Sequence, residues 1–491
     1  MNRDITQKML AKNDTIATSI ITSDFVKWTW WIFILTSLFA FGLIIVPIWA
    51  VIFFAVSLIV ILIFFKLNIA ILTSIFLFFL FFRIELIFPS QTKIYAEYIY
   101  GGSSVVILIP YILWLFRRAA GLDSRSSKNY LNKVTVVFIL WGALSLIWTE
   151  DIIHGINLCF SMLINLMIIQ ILTVYIQSKK DINALFTFLL VAGCILGTIT
   201  LFSKWYIYLY SIDLKVHDIS FIASFGGDNL GPNPDIIRAA GFAPANHAAF
   251  GLNIFVFITL SFIFQTEGIR KKIKYILVFF LLIICLVLTG SKAGLLSMII
   301  GLYFTLLINP FGKMKRIRWY FFMTFLLILS LLLMFLLGEG RIVESARGGE
   351  SSELAYRSLS SRLEIWKRGF EDFDNILYLI FGYGLGSSAA RAEILPHMHS
   401  FYFSALLDLG IVGLVLYISI ILKVIIELYK NISLVESIHF KNLLICLLGA
   451  LITCTIQGTV YAEFNFPFFW ILLGLITSIT SKLMYFEAEV K

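Results

Sequence analysis

The chain is built from apolar runs long enough to cross a lipid bilayer. Spanning the hydrocarbon core takes about 20 apolar residues in a helix. About fourteen segments qualify on that criterion: residues 28–45, 47–65, 69–88, 102–116, 134–148, 156–176, 182–203, 247–264, 274–289, 293–308, 319–337, 400–427, 442–460 and 465–481. The first two share one stretch divided near Pro47, and another pair is divided at "TGSK". Lipid offers no hydrogen bonds to exposed backbone, so such segments must be helices that satisfy their own N–H and C=O groups. Composition agrees: 60% of residues are hydrophobic and 14% charged, against roughly a quarter charged in soluble domains. The expected fold is an all-α polytopic membrane bundle of about 12–14 helices.

The net charge of +9 would suit a nucleic-acid partner, but its placement does not. The positive residues stand in short clusters between apolar runs: "FRRAAGLDSRSSKNYLNK" (116–133), "QSKKD" (177–181), "RKKIK" (270–274) and "GKMKRIR" (312–318). With the N-terminus inside, about 25 of the 38 Lys+Arg fall on the cytoplasmic side, as the positive-inside rule requires. Outer loops before residue 338 hold about six and one long outer loop about seven. Both termini are expected to be cytoplasmic. Residues 1–27 are polar for too long to be a signal peptide and read as a leader. The expected organisation then runs through helices over 28–337 with an outer loop at 204–246, a large outer loop at 338–399, C-terminal helices over 400–481 and a tail at 482–491. Cys159, Cys194, Cys285, Cys446 and Cys454 are scattered among apolar runs, without the spacing of a zinc site or disulfide framework.

Long loops tend to carry function. In the larger one, Leu363, Trp366, Phe370, Phe373 and Leu377 recur at three or four residues. This predicts a helix with one apolar face, lying on the membrane surface or capping the bundle. Cationic and imidazole groups gather at the outer ends of spans: Arg238, Lys292, Arg362 and His399, with His397 beside the last. Charge near the hydrocarbon boundary is costly and marks functional candidates. Several cations together suggest a bound anion such as a lipid phosphate or diphosphate, which arginine grips with two parallel bonds.

Each candidate also has a plainer reading. Lys292 can snorkel to the interface, Arg362 can occupy a solvated helix face, Arg238 can pair with Asp235, and His399 can be a satisfied interfacial histidine. His397 follows Pro396, ahead of the helix, and is expected to be solvated. Three further motifs are set aside. "GYGLGSS" (382–388) has nucleotide-loop spacing but follows no strand, so its glycines are expected to shape a tight turn before the next span. "DFD" (Asp372, Asp374) falls in the predicted helix, where residues two apart diverge. His397 and His399 lack a further ligand at metal-binding spacing. No metal or cofactor is expected.

In order along the chain, "RAAGFAPANHAAFGL", "LTGSKAGLLSMIIGL", "SSRLEIWKRGFEDF", "FGYGLGSS" and "HMHSFYFSALLDLGIVGLVLY" resemble the O-antigen ligase and polymerase family of bacterial membrane glycosyltransferases, over roughly residues 235–415. The resemblance implies a GT-C-like helical fold and a glycan donor on undecaprenyl diphosphate. An acceptor hydroxyl would attack the anomeric carbon with inversion, without metal or nucleotide sugar, on the outer face of the cytoplasmic membrane. Carried over, Arg238 and Arg362 would hold the diphosphate and stabilise it as it leaves, with Lys292 and His397 as further substrate contacts. His399 would be the general base or would orient the acceptor hydroxyl. The family often has Arg where Lys292 stands and Asn where Ser400 stands.

A repeat-unit polysaccharide polymerase is the leading expectation, with a chain-length regulator protein as a further partner. A ligase that moves the finished glycan to lipid A–core or protein is the alternative. A lipid-linked oligosaccharide flippase would also fit the span count. Transporters, however, place coupling charges near the bilayer midplane, whereas these spans are nearly free of central charges; Arg83 and Glu85 are exceptions that lie near the outer end of their span and could pair. A receptor or scaffold without catalysis is the remaining class.

Overall fold

The computed structural model describes residues 71–72, 101–121, 123–127, 129–213, 245–308, 359–371, 373, 375–387, 398–461 and 464–483. These belong to one compact unit, Leu67–Lys491, and among them are helices but no strand. The leader, the predicted spans at 28–45, 47–65 and 319–337, and nearly all of 69–88 lie outside the described residues.

Twelve helices are described: α1 (Gly101–Ala119), α2 (Asn132–Ser145), α3 (Ile152–Tyr175), α4 (Lys179–Asp213), α5 (Ala245–Gln265), α6 (Ile269–Leu288), α7 (Lys292–Ile308), α8 (Leu359–Glu371), α9 (Ile376–Phe381), α10 (Phe401–Leu434), α11 (Ile438–Gly458) and α12 (Pro467–Thr480). The remaining predicted spans fall on α1–α7 and α10–α12, although α4 and α10 run well past their predicted ends at 203 and 427. Among the described residues, five segments are long and apolar enough to cross a bilayer: Ile152–Tyr175, Lys179–Leu201, Asn246–Gln265, Phe401–Leu434 and Ile438–Gly458. The protein is a polytopic helical membrane protein.

Local chemistry sets several helix starts. Asp151 accepts from His154 N at 3.0 Å and opens α3, Ser291 Oγ accepts from Gly294 N at 3.2 Å and opens α7, and Pro467 opens α12. Each satisfies or removes a donor that has no partner in the first turn. α5 and α12 are buried nearly all round, as is α11 from Asn442 onward, and the other helices surround them. α7 packs on α11, α4 and α6 on α5, α3 on α12, and α2 on α10.

Small residues let these apolar helices approach closely, as membrane interfaces require. A Cβ on Gly301 would overlap Thr453 Oγ1 and lie 2.6 Å from the carbonyl of Gly449. A Cβ on Gly449 would overlap Thr305 Oγ1 in turn. Deeper polar groups are paired across helices: Asn253 Nδ2 of α5 donates to Gln457 Oε1 of α11 at 2.8 Å and to Gly294 O of α7 at 3.0 Å.

α10 is not one continuous helix. Gly410 has φ 68° and ψ −171°, and its break separates a short segment, 401–409, from the long one that follows. The break leaves carbonyls without helical partners, and other elements supply them. Tyr383 N donates to Leu407 O at 2.9 Å, Gly384 N to Asp408 O at 3.0 Å and Trp141 Nε1 to Leu409 O at 3.0 Å. Residues 382–387 of "GYGLGSS" therefore do more than turn the chain; they dock backbone to backbone against the break. At Gly382 (φ 78°) a Cβ would lie 2.5 Å from Gly410 N and overlap the carbonyl of Asp408. The other end of the loop is held by the α2–α3 connection, where Thr149 Oγ1 donates to Leu385 O at 2.8 Å and Ser145 Oγ accepts from Leu385 N at 3.0 Å.

Candidate functional site

The short segment 401–409 is covered by α8. Trp366 stacks on Phe403 with ring centroids 4.7 Å apart, and its Nε1 donates to Met398 O at 2.8 Å. Ile365, Tyr383, Met398 and Leu407 form the buried cluster between them, joined by Trp366, Phe373 and Phe403. The packed face differs from the predicted stripe. Leu363, Phe370 and Leu377 remain 54%, 49% and 55% exposed, and the helix stops at Glu371. Asn375 Oδ1 accepts from Leu377 N at 2.9 Å and starts a separate helix, α9.

This packing places Arg362 against the α11–α12 connection rather than on a solvated face. Its Nη1 donates to Val460 O at 2.6 Å, and its Nε is buried without a hydrogen-bond partner among the described residues. Burial pushes the guanidinium pKa down and the neighbouring Tyr461 pulls it back up. Arginine stays charged in proteins, so a cation with a spare buried donor stands here.

His399 directly precedes the N-cap of α10 with φ 47°, a left-handed backbone that costs a non-glycine residue about 1–3 kcal/mol and tends to occur at functional sites. Ser400 follows in extended backbone as N-cap, its Oγ accepting from Phe403 N at 3.4 Å. Serine and asparagine cap helices about equally well, so the departure from the family's Asn keeps this cap.

Two residues missed by the sequence reading complete the cluster. Tyr461 is 7% exposed and lies 6.4 Å from His399 between ring centroids, at 12°. Its hydroxyl hydrogen-bonds His247 Nδ1 at 2.8 Å, in the first turn of α5. The His247 ring also lies 4.8 Å from that of Phe466, just before α12. His247 lies in "RAAGFAPANHAAFGL" behind a more conspicuous arginine. Tyr461, between two apolar runs, belongs to no spacing pattern.

Among the sequence-predicted residues, Arg362 and His399 are drawn together through Val460 and Tyr461. Lys292 is exposed at the start of α7, at the same end of the bundle. Its helix reaches the site through Gly294 and Gln457, whose Nε2 donates to Asn246 O at 3.4 Å. Arg238 and His397 lie outside the described residues, as do Asp372 and Asp374.

A comparison with curated proteins returns no match. A protein-family model described as O-antigen ligase matches residues 277–418. The matched segment runs from α6 into α10 and includes Lys292, Arg362, His397 and His399, while Arg238, His247 and Tyr461 lie outside it. Over residues 277–418 this membrane bundle is thus similar to the O-antigen ligase family.

Proposed function

We propose that the chain is a polysaccharide polymerase that transfers a glycan from undecaprenyl diphosphate to a sugar hydroxyl with inversion, on the outer face of the bacterial cytoplasmic membrane. The observation that carries this reading is the gathering of Arg362, His399, Tyr461 and His247 at one end of a highly apolar bundle, in a chain with an O-antigen ligase domain. His399 acts as general base on the acceptor hydroxyl, a task suited to imidazole near neutral pH. Arg362, with Arg238, binds the diphosphate and stabilises the charge that grows on it as the glycosidic bond breaks. Lys292 adds a point charge and His397 a glycan contact. No metal takes part. Clusters on the opposite side, such as "RKKIK" and "QSKKD", support cytoplasmic termini and an outward-facing site.

The test is glycan assembly in cells carrying His399→Ala. The expected result is loss of polymer at normal protein abundance, and full-length polymer there would refute the base assignment. Arg238→Lys is expected to lose most activity with abundance intact, because lysine keeps the charge but not the fork. Undiminished turnover would discard that role.

A ligase is the second reading, favoured by the description of the matched family. The accumulated intermediate separates the two. Loss of a polymerase leaves single repeat units on the carrier or on its acceptor, whereas loss of a ligase leaves long chains still attached to the lipid.

A further inference from the structure

Tyr461 has no assigned role, yet it links the parts of the polar cluster. It belongs to the connection between α11 and α12, beyond the matched segment. Its hydroxyl reaches His247 Nδ1 at 2.8 Å, its ring is nearly parallel to that of His399, and the preceding carbonyl, Val460 O, anchors Arg362 at 2.6 Å. One short connection thus touches α5, α8 and the residue before α10. A position that required only apolar packing would take phenylalanine, because a phenol hydroxyl buried at 7% exposure is costly unless paired. Here it is paired, and with an imidazole. Whether the phenol donates or accepts follows from the tautomer of His247, but either way the bond anchors the tip of the Tyr461 side chain and with it the axis of the ring.

The ring's position matters because His399 is not steered by a helix. With φ 47° it precedes the N-cap, so the rotamer limits that a helix imposes do not apply to it. Contacts from outside its own element must orient its ring, and the parallel face of Tyr461 is one of them.

We propose that Tyr461 is a positioning residue: its hydroxyl, held by His247, fixes the ring that aligns His399 with the acceptor hydroxyl. The inference rests on the reading of His399 as the base. The same pair ties α5 to the α11–α12 connection, so removal of one bond reaches His399 without removing a group that touches substrate.

The experiment compares Tyr461→Phe, His247→Gln and their double variant with wild type and His399→Ala. Full-length protein is purified and supplied with lipid-linked glycan extracted from cells lacking this gene. Tyr461→Phe keeps the ring and deletes the hydroxyl. It is expected to lower kcat about tenfold, the scale on which misaligned groups lose rate, with KM for the donor within about twofold and protein abundance unchanged. His247→Gln should do the same, and the double variant should be no worse than either single one, because both break one bond. Wild-type kcat in Tyr461→Phe beside an inactive His399→Ala overturns this inference alone. So does a raised KM at unchanged kcat, which would make Tyr461 a binding contact, and so do losses that multiply in the double variant. Full kcat in His399→Ala overturns the base assignment itself, and this inference with it.

Discussion

Replacing Gly410 with alanine tests whether the break in α10 is what holds the site. With φ 68° and ψ −171°, Gly410 occupies a region open essentially only to glycine, and forcing alanine into it costs about 1–3 kcal/mol. The added methyl would overlap the carbonyl of Ile380 and lie 2.5 Å from Gly382 N. Both neighbours are backbone, so neither can rotate away. Relief requires the loop at 380–384 to withdraw, which gives up the bonds from Tyr383 N to Leu407 O and from Gly384 N to Asp408 O. Each is worth about 1 kcal/mol net, and more if its donor stays buried and unmatched. The expected total is about 3–5 kcal/mol. Since 401–409 carries Ser400 and His399 at its start, the shift reaches the site as well.

The assay is apparent Tm of purified protein together with glycan assembly in cells. Gly268→Ala is the internal control: its φ is 78° but nothing lies within 4 Å of the added Cβ, so only a backbone penalty of about 1–3 kcal/mol like that at Gly410 applies. Gly410→Ala should therefore melt several degrees below Gly268→Ala and lose most product. If Gly410→Ala melts with or above the control and makes normal glycan, the docked loop is not what positions this segment.

Three further outcomes follow from the packing. Ser400→Asn should retain stability and activity because it keeps the cap, whereas Ser400→Ala should cost about 0.5–2 kcal/mol, read as a lower apparent Tm. Gly301→Val should prevent α7 from seating on α11, since even a Cβ there overlaps Thr453 Oγ1; loss of folded protein by size-exclusion chromatography would show it. Arg362→Lys should keep protein abundance but lose at least tenfold in turnover, because a point charge cannot replace a fork that binds Val460 O through one nitrogen and offers others. Near-normal turnover would return Arg362 to a structural role.

The spanning helices were readable because apolar length is a strong one-dimensional signal. Their boundaries moved most at the ends of α4 and α10, which run on to Asp213 and Leu434. The break at Gly410 was not readable. "SALLDLGIVGLVLY" reads as one hydrophobic run, interrupted by Asp408, Gly410 and Gly413 with nothing to mark which of them breaks the helix. What makes the break stable is a loop nearly thirty residues earlier, whose backbone fills it. Arg362 and His399 could be suspected because ionisable groups are conspicuous in an apolar chain. His247 and Tyr461 could not be paired in advance, since their 2.8 Å contact joins residues 214 positions apart, and no periodicity encodes that.

The broken helix also bears on how an apolar bundle can attract an anion. Non-helical backbone at membrane depth is tolerated where protein buries it, and here Leu407, Asp408 and Leu409 all have their carbonyls matched. A short helix can then begin at the site itself. Its N-terminus joins those of α5, α7 and α12, which reach the same end through His247, Gly294 and Phe466. Helix N-termini carry partial positive charge and favour anions. Lys292 at the first position of α7 is unfavourable for that helix by about 0.3–1 kcal/mol on the same account, which is understandable if an anion offsets it. The opposing element is α11, which presents its C-terminal carbonyls to this end, and there Arg362 donates to Val460 O just past the helix. The C-terminus of α11, whose dipole would repel a diphosphate, thus has a guanidinium beside it, and Arg362 Nε has no hydrogen-bond partner among the described residues. A neutral residue at 362 should therefore weaken the donor more than loss of a single contact would, because it removes a cation and exposes the wrong end of α11 together. An Arg362→Gln variant with a donor KM raised no more than that of Arg362→Lys would count against this coupling.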